Sequence, residues 1–308
     1  MKFSIQPLLI FINLIFLISC KKDDPGNQNT NQSSNSTKYV IFKFRFDSTQ
    51  ARLNNLGQAA LIPAGRSAQH PLMNKMAAHY IELSPSMTTA VGNGKVLFHA
   101  PETNIGGSTA ILHSQSILKG NGEEFFRIPL DSISPGTYNF LRVSVAYQNY
   151  DINYKYVFNG TPLYLTGTIA SFVGYNTYIN NYTIKNQTVS PSSAAGGSGN
   201  HLQGYWGFET TVFGNTTVSD GQAPPGATTV PNPIWSSSPI PQGSCLVTGQ
   251  FPNPLVISGN ETSDIIITVS FSTNKSFEWK DQNSDGWFEP AAGDSVVDMG
   301  LRGMIPSF

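Results

Sequence analysis

Cysteine is nearly absent from this chain: Cys20 and Cys245 are the only two in 308 residues. That excludes a disulfide framework and zinc sites built from several thiolates. Charge is scarce too, since Asp, Glu, Lys and Arg supply 12% of residues, about half the usual share, with a formal net charge of −1. A surface so close to neutral gives no electrostatic grip on nucleic acid or on an anionic membrane. No stretch sustains helical periodicity over three turns, and the best helix candidate, residues 72–78, is short and follows Pro71. Catalytic signatures are missing as well. The five histidines, His70, His79, His99, His113 and His201, contain no i, i+4 pair and no HExxH, although His79, His99 and His113 are placed so that neighbouring strands would let them meet. Gly196-Gly197-Ser198-Gly199 reads as linker, because no strand leads in and no helix follows. With no Ser/His/Asp order and no paired carboxylates standing out, nothing in the sequence argues for an enzyme.

What the chain does have begins at its N-terminus. Lys2 gives a positive start, and residues 8–18 form an apolar run broken only by Asn13. The run suits a signal peptide and is too short for a membrane span, which needs roughly 20 apolar residues. Leu17-Ile18-Ser19-Cys20 follows and resembles the lipobox cut by lipoprotein signal peptidase. That resemblance implies that residues 1–19 are removed and that Cys20 carries the lipid on its sulfur. Lys21-Lys22-Asp23-Asp24 resembles the export signal of Bacteroidetes-type surface lipoproteins, which implies the outer face of the outer membrane. The competing reading of those charges is an ordinary solvated tether, with the domain on the periplasmic side. Acyl chains hold a protein to a membrane without a span, each buried methylene adding about 0.8 kcal/mol. The membrane is thus an expected partner through the anchor alone.

Residues 20–37 read as a lipidated, disordered tether, since the residues after Cys20 offer nothing to bury. From Lys38 onward the pattern changes. Val40, Phe42, Phe44 and Phe46 alternate with Ile41, Lys43 and Arg45, the period of two of a strand with one buried face. Further strands are expected at 79–83, 95–99, 124–130, 138–147, 152–158, 163–172, 205–213, 245–251, 255–258, 265–271 and 276–279. Ser134-Pro135-Gly136-Thr137 is a turn, with Pro presetting φ and Gly accepting the left-handed position. The expected fold class is all-β: an antiparallel β-sandwich with long loops over residues 38–308. Sub-boundaries remain open at 185–203, rich in Ser, Gly and Asn, and at 219–244, rich in Pro. Cys245 opens a strand and reads as a buried, inert thiol.

The strongest chemical motif lies near the C-terminus. Asp281-Gln282-Asn283-Ser284-Asp285-Gly286-Trp287 sets oxygen side chains at positions 1, 3 and 5, Gly at 6 and a carbonyl at 7. This is the first half of an EF-hand-type calcium loop, whose hard oxygen donors suit Ca²⁺. Position 12 is Ala292, so Glu289 or Asp294 would have to close the shell, and Pro290 bars a regular exit helix. The expected calcium ligands are therefore Asp281, Asn283, Asp285, Trp287, Glu289 and Asp294, with a structural role. The alternative is an Asx-rich turn stabilised by its own side chains.

Aromatic residues crowd residues 138–182, among them Tyr147, Tyr150, Tyr154, Tyr156, Tyr164, Tyr175 and Tyr178. Exposed, they would suit a glycan; buried, they pair across strands. Ile133-Ser134-Pro135-Gly136-Thr137-Tyr138 and Gly204-Tyr205-Trp206-Gly207-Phe208-Glu209 resemble motifs of methanobactin-partner-like (MbnP-like) domains. Those are extracytoplasmic β-sandwiches, some associated with copper, so the resemblance implies that fold; no histidine pattern here carries a copper site over. Three functions follow as expectations. The first is a lipid-anchored surface module binding a glycan or surface protein, with a structural calcium loop. The second is an assembly lipoprotein with an apolar patch for a protein partner. The third is a periplasmic metal-handling protein, which requires converging histidines.

Overall fold

The computed structural model describes residues 37–223, 236 and 238–308. The residues expected to form a signal peptide, the expected lipidation site Cys20 and the expected tether up to residue 36 lie outside the described residues, as does most of the Pro-rich stretch 224–237. Among the described residues there is no helix of seven residues or more, and none is long and apolar enough to cross a membrane. The fold is an all-β sandwich, as the alternating pattern requires.

Its first layer is a four-stranded sheet. β1 (Tyr39–Asp47) lies at its centre, antiparallel to β7 (Glu124–Pro129) and parallel to β17 (Ile265–Ser272), which pairs in turn with β20 (Met304–Ser307). Val40, Phe42 and Phe44 of β1 are fully buried, and Phe42 stacks on Phe126 with ring centroids 4.8 Å apart. Each such side chain contributes about 1.5–3 kcal/mol by leaving water.

The second layer is a large curled sheet organised by one long strand, β8 (Gly136–Phe158). Along one edge β8 pairs first with β16 (Cys245–Ile257) and then with β9 (Thr161–Phe172). Its other edge pairs with β3 (Leu72–Ser84), which carries β4 (Lys95–His99) outside it. Beyond β9 come β14 (Tyr205–Val212) and β15 (Asn215–Gln222). The expected helix at 72–78 is in fact the first half of β3: its Met and Ala residues favour helix, but pairing with β8 buries Met76, Ala77 and Ala78. Likewise the strands expected at 138–147 and 152–158 are one, and those at 245–251 and 255–258 are one with a register shift between Gln250 and Leu255.

Smaller elements close the molecule. β2 (Arg66–Gln69), β18 (Phe277–Lys280) and β19 (Ser295–Met299) form a three-stranded sheet. β5 (Glu102–Thr103), β6 (Ala110–Leu112), β10 (Asn176–Ile179) and β13 (Gly199–Leu202) form another, and β11 (Tyr182–Thr183) pairs with β12 (Thr188–Val189). The stretch 185–203, expected to be irregular, thus holds two short strands. Residues 37–308 make one unit around two main cores.

Candidate metal centre

Three side chains that the sequence leaves 23 residues apart at most meet at the outer edge of β3 and β4. His79 belongs to β3 at a bulge. The β3–β8 register steps from Ala78↔Val145 to Tyr80↔Ser144, so His79 is the extra residue, and Tyr80 pairs with His99 across β4. A bulge re-aims a side chain out of strict alternation, and here it sets the His79 ring beside His99, centroids 4.8 Å apart. Glu102 follows three residues after His99, at the start of β5, and the small sheet presents Tyr175 just before β10.

The donor atoms face one another. His79 Nε2 lies 3.0 Å from Glu102 Oε1 and 3.1 Å from His99 Nε2, and His99 Nε2 lies 3.6 Å from Glu102 Oε1. Zinc–nitrogen bonds of about 2.0–2.1 Å at a tetrahedral angle put neighbouring donor atoms about 3.3–3.4 Å apart, and the three observed separations bracket that spacing. Two imidazole nitrogens and a carboxylate oxygen are also a donor set that first-row divalent ions accept.

Electrostatics favour the ligating forms. Burial holds the His79 imidazole below the usual histidine range, against the pull of Glu102. Glu102 is held down at about 2, chiefly by its hydrogen bond with His79 and further by the one from Tyr175 Oη, 2.8 Å away. At neutral pH the centre therefore holds a charged carboxylate beside a neutral imidazole. Burial and the Glu102 charge raise the Tyr175 phenol above its ordinary value, so it stays protonated and donates to the carboxylate. The His79 side chain is 1% exposed, but His99 is 50% and Glu102 28% exposed, which opens one side of the cluster to solvent. A site with three protein donors and an open side has room for water or an exogenous ligand.

The other histidines stay apart. His113 packs between Tyr147 and Phe172, and burial followed by the charge of Lys75 pushes it down to about 4. His201 lies against Tyr205 and its Nε2 is 2.9 Å from the Gly197 carbonyl; His70 Nδ1 accepts from the Lys275 amide. His79, His99, Glu102 and Tyr175 were all within reach of sequence reasoning as strand or loop residues. What hid the cluster was the bulge, which no residue type announces, and the packing of a second sheet.

The loop expected to bind calcium is formed and dense with hydrogen bonds. Asp281 Oδ2 accepts from Ser67 Oγ and the Gly286 amide, each at 2.8 Å; Asn283 Oδ1 accepts from the Asp285 amide and Asp285 Oδ1 from the Trp287 amide. Ser284 at φ 59° and Gly286 at φ 81° make the two left-handed bends of the loop. Asp281 Oδ1 is buried with no hydrogen-bond partner. The cation in contact with the loop is a side chain: Lys155 Nζ lies 2.5 Å from Asp285 Oδ2 and 3.1 Å from Glu289 Oε2. Asp294 spends both oxygens on the amides of Gln282 and Glu289, pinning the loop closed. The Trp287 ring leaves the loop to pack against Tyr164, centroids 4.5 Å apart.

Of the crowded tyrosines, Tyr147, Tyr150 and Tyr154 are buried, Tyr175 and Tyr178 partly buried, and Tyr156 and Tyr164 exposed. Cys245 is buried, and burial pushes its thiol up to about 12. No family model, curated protein or solved structure matches the chain.

Proposed function

We propose that this protein is an extracytoplasmic, lipid-anchored β-sandwich that binds a divalent first-row transition ion, of the Zn²⁺ or Cu²⁺ class, through His79, His99 and Glu102. The observation that carries the reading is the convergence of three donor atoms at 3.0, 3.1 and 3.6 Å on a solvent-open edge. Like-polarity nitrogens and a carboxylate oxygen crowd together at a cost unless protons or a cation separate them. The anchor at Cys20 and the outer-membrane location belong to the same proposal and rest on the lipobox resemblance. Of the three functions the sequence allowed, metal handling is the one that requires meeting histidines.

The test is a calorimetric titration of the full chain with Zn²⁺ and with Cu²⁺. One equivalent should bind, and His99→Ala, which changes an exposed ring and spares the core, should weaken it at least tenfold, in line with the loss of one ligand. Equal affinity in His99→Ala and wild type would sink the proposal.

We further propose that the 281–294 loop takes calcium in a structural role, with Asp281, Asn283, Asp285, Glu289 and the Trp287 carbonyl as ligands. The orphaned Asp281 Oδ1 supports this; Lys155 must move aside for it to happen.

A further inference from the structure

The face of the large sheet that carries Tyr150 also carries two rungs of side chains that line a cavity. Gln148, Ser171 and Trp206 are cross-strand neighbours on β8, β9 and β14; Ile169, Phe208 and Ser219 form the next rung on β9, β14 and β15. Phe288, Pro290, Val296, Val297 and Cys245 add to the lining, and the cavity has a volume of about 460 Å³. Sites for small organic ligands run from about 300 to 1,000 Å³ and are mostly apolar with a few placed polar groups.

The polar groups here are few and specific. Gln148 is 1% exposed, and its Nε2 is buried without a hydrogen-bond partner. A buried amide N–H left unmatched costs free energy that an acceptor in the cavity would return. The ionisable residues on the walls are acidic: Asp294 is committed to two backbone amides, and Asp298 to Arg302. Among the described residues no lysine or arginine lines the cavity, so a carboxylate or phosphate would meet no counter-charge.

We propose that this cavity is a binding site for a neutral, largely apolar small molecule bearing one carbonyl-type acceptor, which Gln148 Nε2 engages while the apolar body lies among Trp206, Phe208, Phe288 and Val296. The site is built from different residues than the metal centre and stands or falls independently of it. The walls supply a built-in reporter, the Trp206 indole.

The probe is prodan, a neutral naphthalene carrying one ketone, titrated into the full chain; its ketone-free parent, 2-(dimethylamino)naphthalene, is the control. Prodan should bind with saturation at one site and blue-shifted emission. Bound prodan should shift the Trp206 indole N–H resonance by its ring current. Gln148→Leu keeps the volume and removes the donor, so prodan should bind about tenfold more weakly while the parent's affinity is unchanged. The proposal is overturned by absence of saturable binding, by saturable binding that leaves the Trp206 resonance in place, or by equal prodan affinity in Gln148→Leu. The resonance is read on the wild-type chain, so a folding defect in the variant leaves the proposal testable.

Discussion

Two regions of this molecule gather potential metal ligands, and they do so in opposite ways. The 281–294 loop draws its oxygens from one short stretch of chain and satisfies most of them itself, with backbone amides, Ser67 and the Lys155 ammonium. The His79–His99–Glu102 cluster draws its donors from β3, β4 and β5 and leaves them facing each other, with only Tyr175 added. Contiguity makes a motif readable, but it also makes internal hydrogen bonding easy. Donors delivered by separate strands have fewer ways to satisfy one another. The second arrangement is the one that gains more from an ion.

Acid should separate the two regions most strongly. A transition ion at the cluster competes with protons for imidazole nitrogen, so affinity should fall as the solution is taken from neutral into mild acid. His79 itself takes up a proton late, because burial holds its value down. The loop carboxylates behave differently. Asp285 lies below its ordinary value, chiefly through its hydrogen bond from Lys155, so it stays ionised throughout this window. Zinc binding followed by calorimetry from pH 7.5 to 5 should therefore fade while calcium binding persists. A zinc affinity that does not change over that range would break the comparison.

A smaller effect should come from Tyr175→Phe. The phenol donates to the same Glu102 oxygen that faces both histidines, and its raised value keeps the proton in place. It acts by orienting the carboxylate. Groups that orient metal ligands typically matter by about 10–100-fold in affinity, and the half-exposed position of this one points to the low end, about tenfold. The loss should appear in the zinc dissociation constant with thermal stability nearly unchanged. Unaltered affinity would mean that β5 alone holds Glu102 in place.

How much of this was legible beforehand differs by level. The period of two in β1 announced the fold class, because strand alternation is written directly in residue order; the turn expected at Ser134–Thr137 is different in the structure, where Gly136 is not left-handed but opens β8 by pairing with Ile257. The continuity of β8 was hidden by Gln148, Asn149 and Asp151, which look like a loop. Asn149 and Asp151 are tolerated in the sheet because other elements answer them: Asn149 Nδ2 donates to the Ile184 carbonyl, and Thr168 Oγ1 and Lys185 Nζ donate to Asp151. At the site, the Asp281 loop could be read from spacing alone. His79 could not, since its orientation depends on a one-residue bulge against β8, and Glu102 and Tyr175 arrive from a sheet whose strands are two to four residues long.

The smallest expected effect tests the loop. Lys155 Nζ occupies the approach to Asp285 and Glu289, and both carboxylates raise its basicity. A calcium ion entering there must displace an ammonium that is already well paired, which weakens apparent binding. Lys155→Met keeps the length of the stem and removes the charge. With the competitor gone, calcium should bind several-fold more tightly than the roughly 10⁻⁴–10⁻³ M typical of extracellular modules. In chelator the same variant should melt below wild type, because Asp285 and Glu289 then face each other without a cation, and added calcium should restore it. If the variant melts identically with and without calcium, the loop is an Asx-turn assembly whose only cation is a lysine, and the contrast between the two regions becomes absolute.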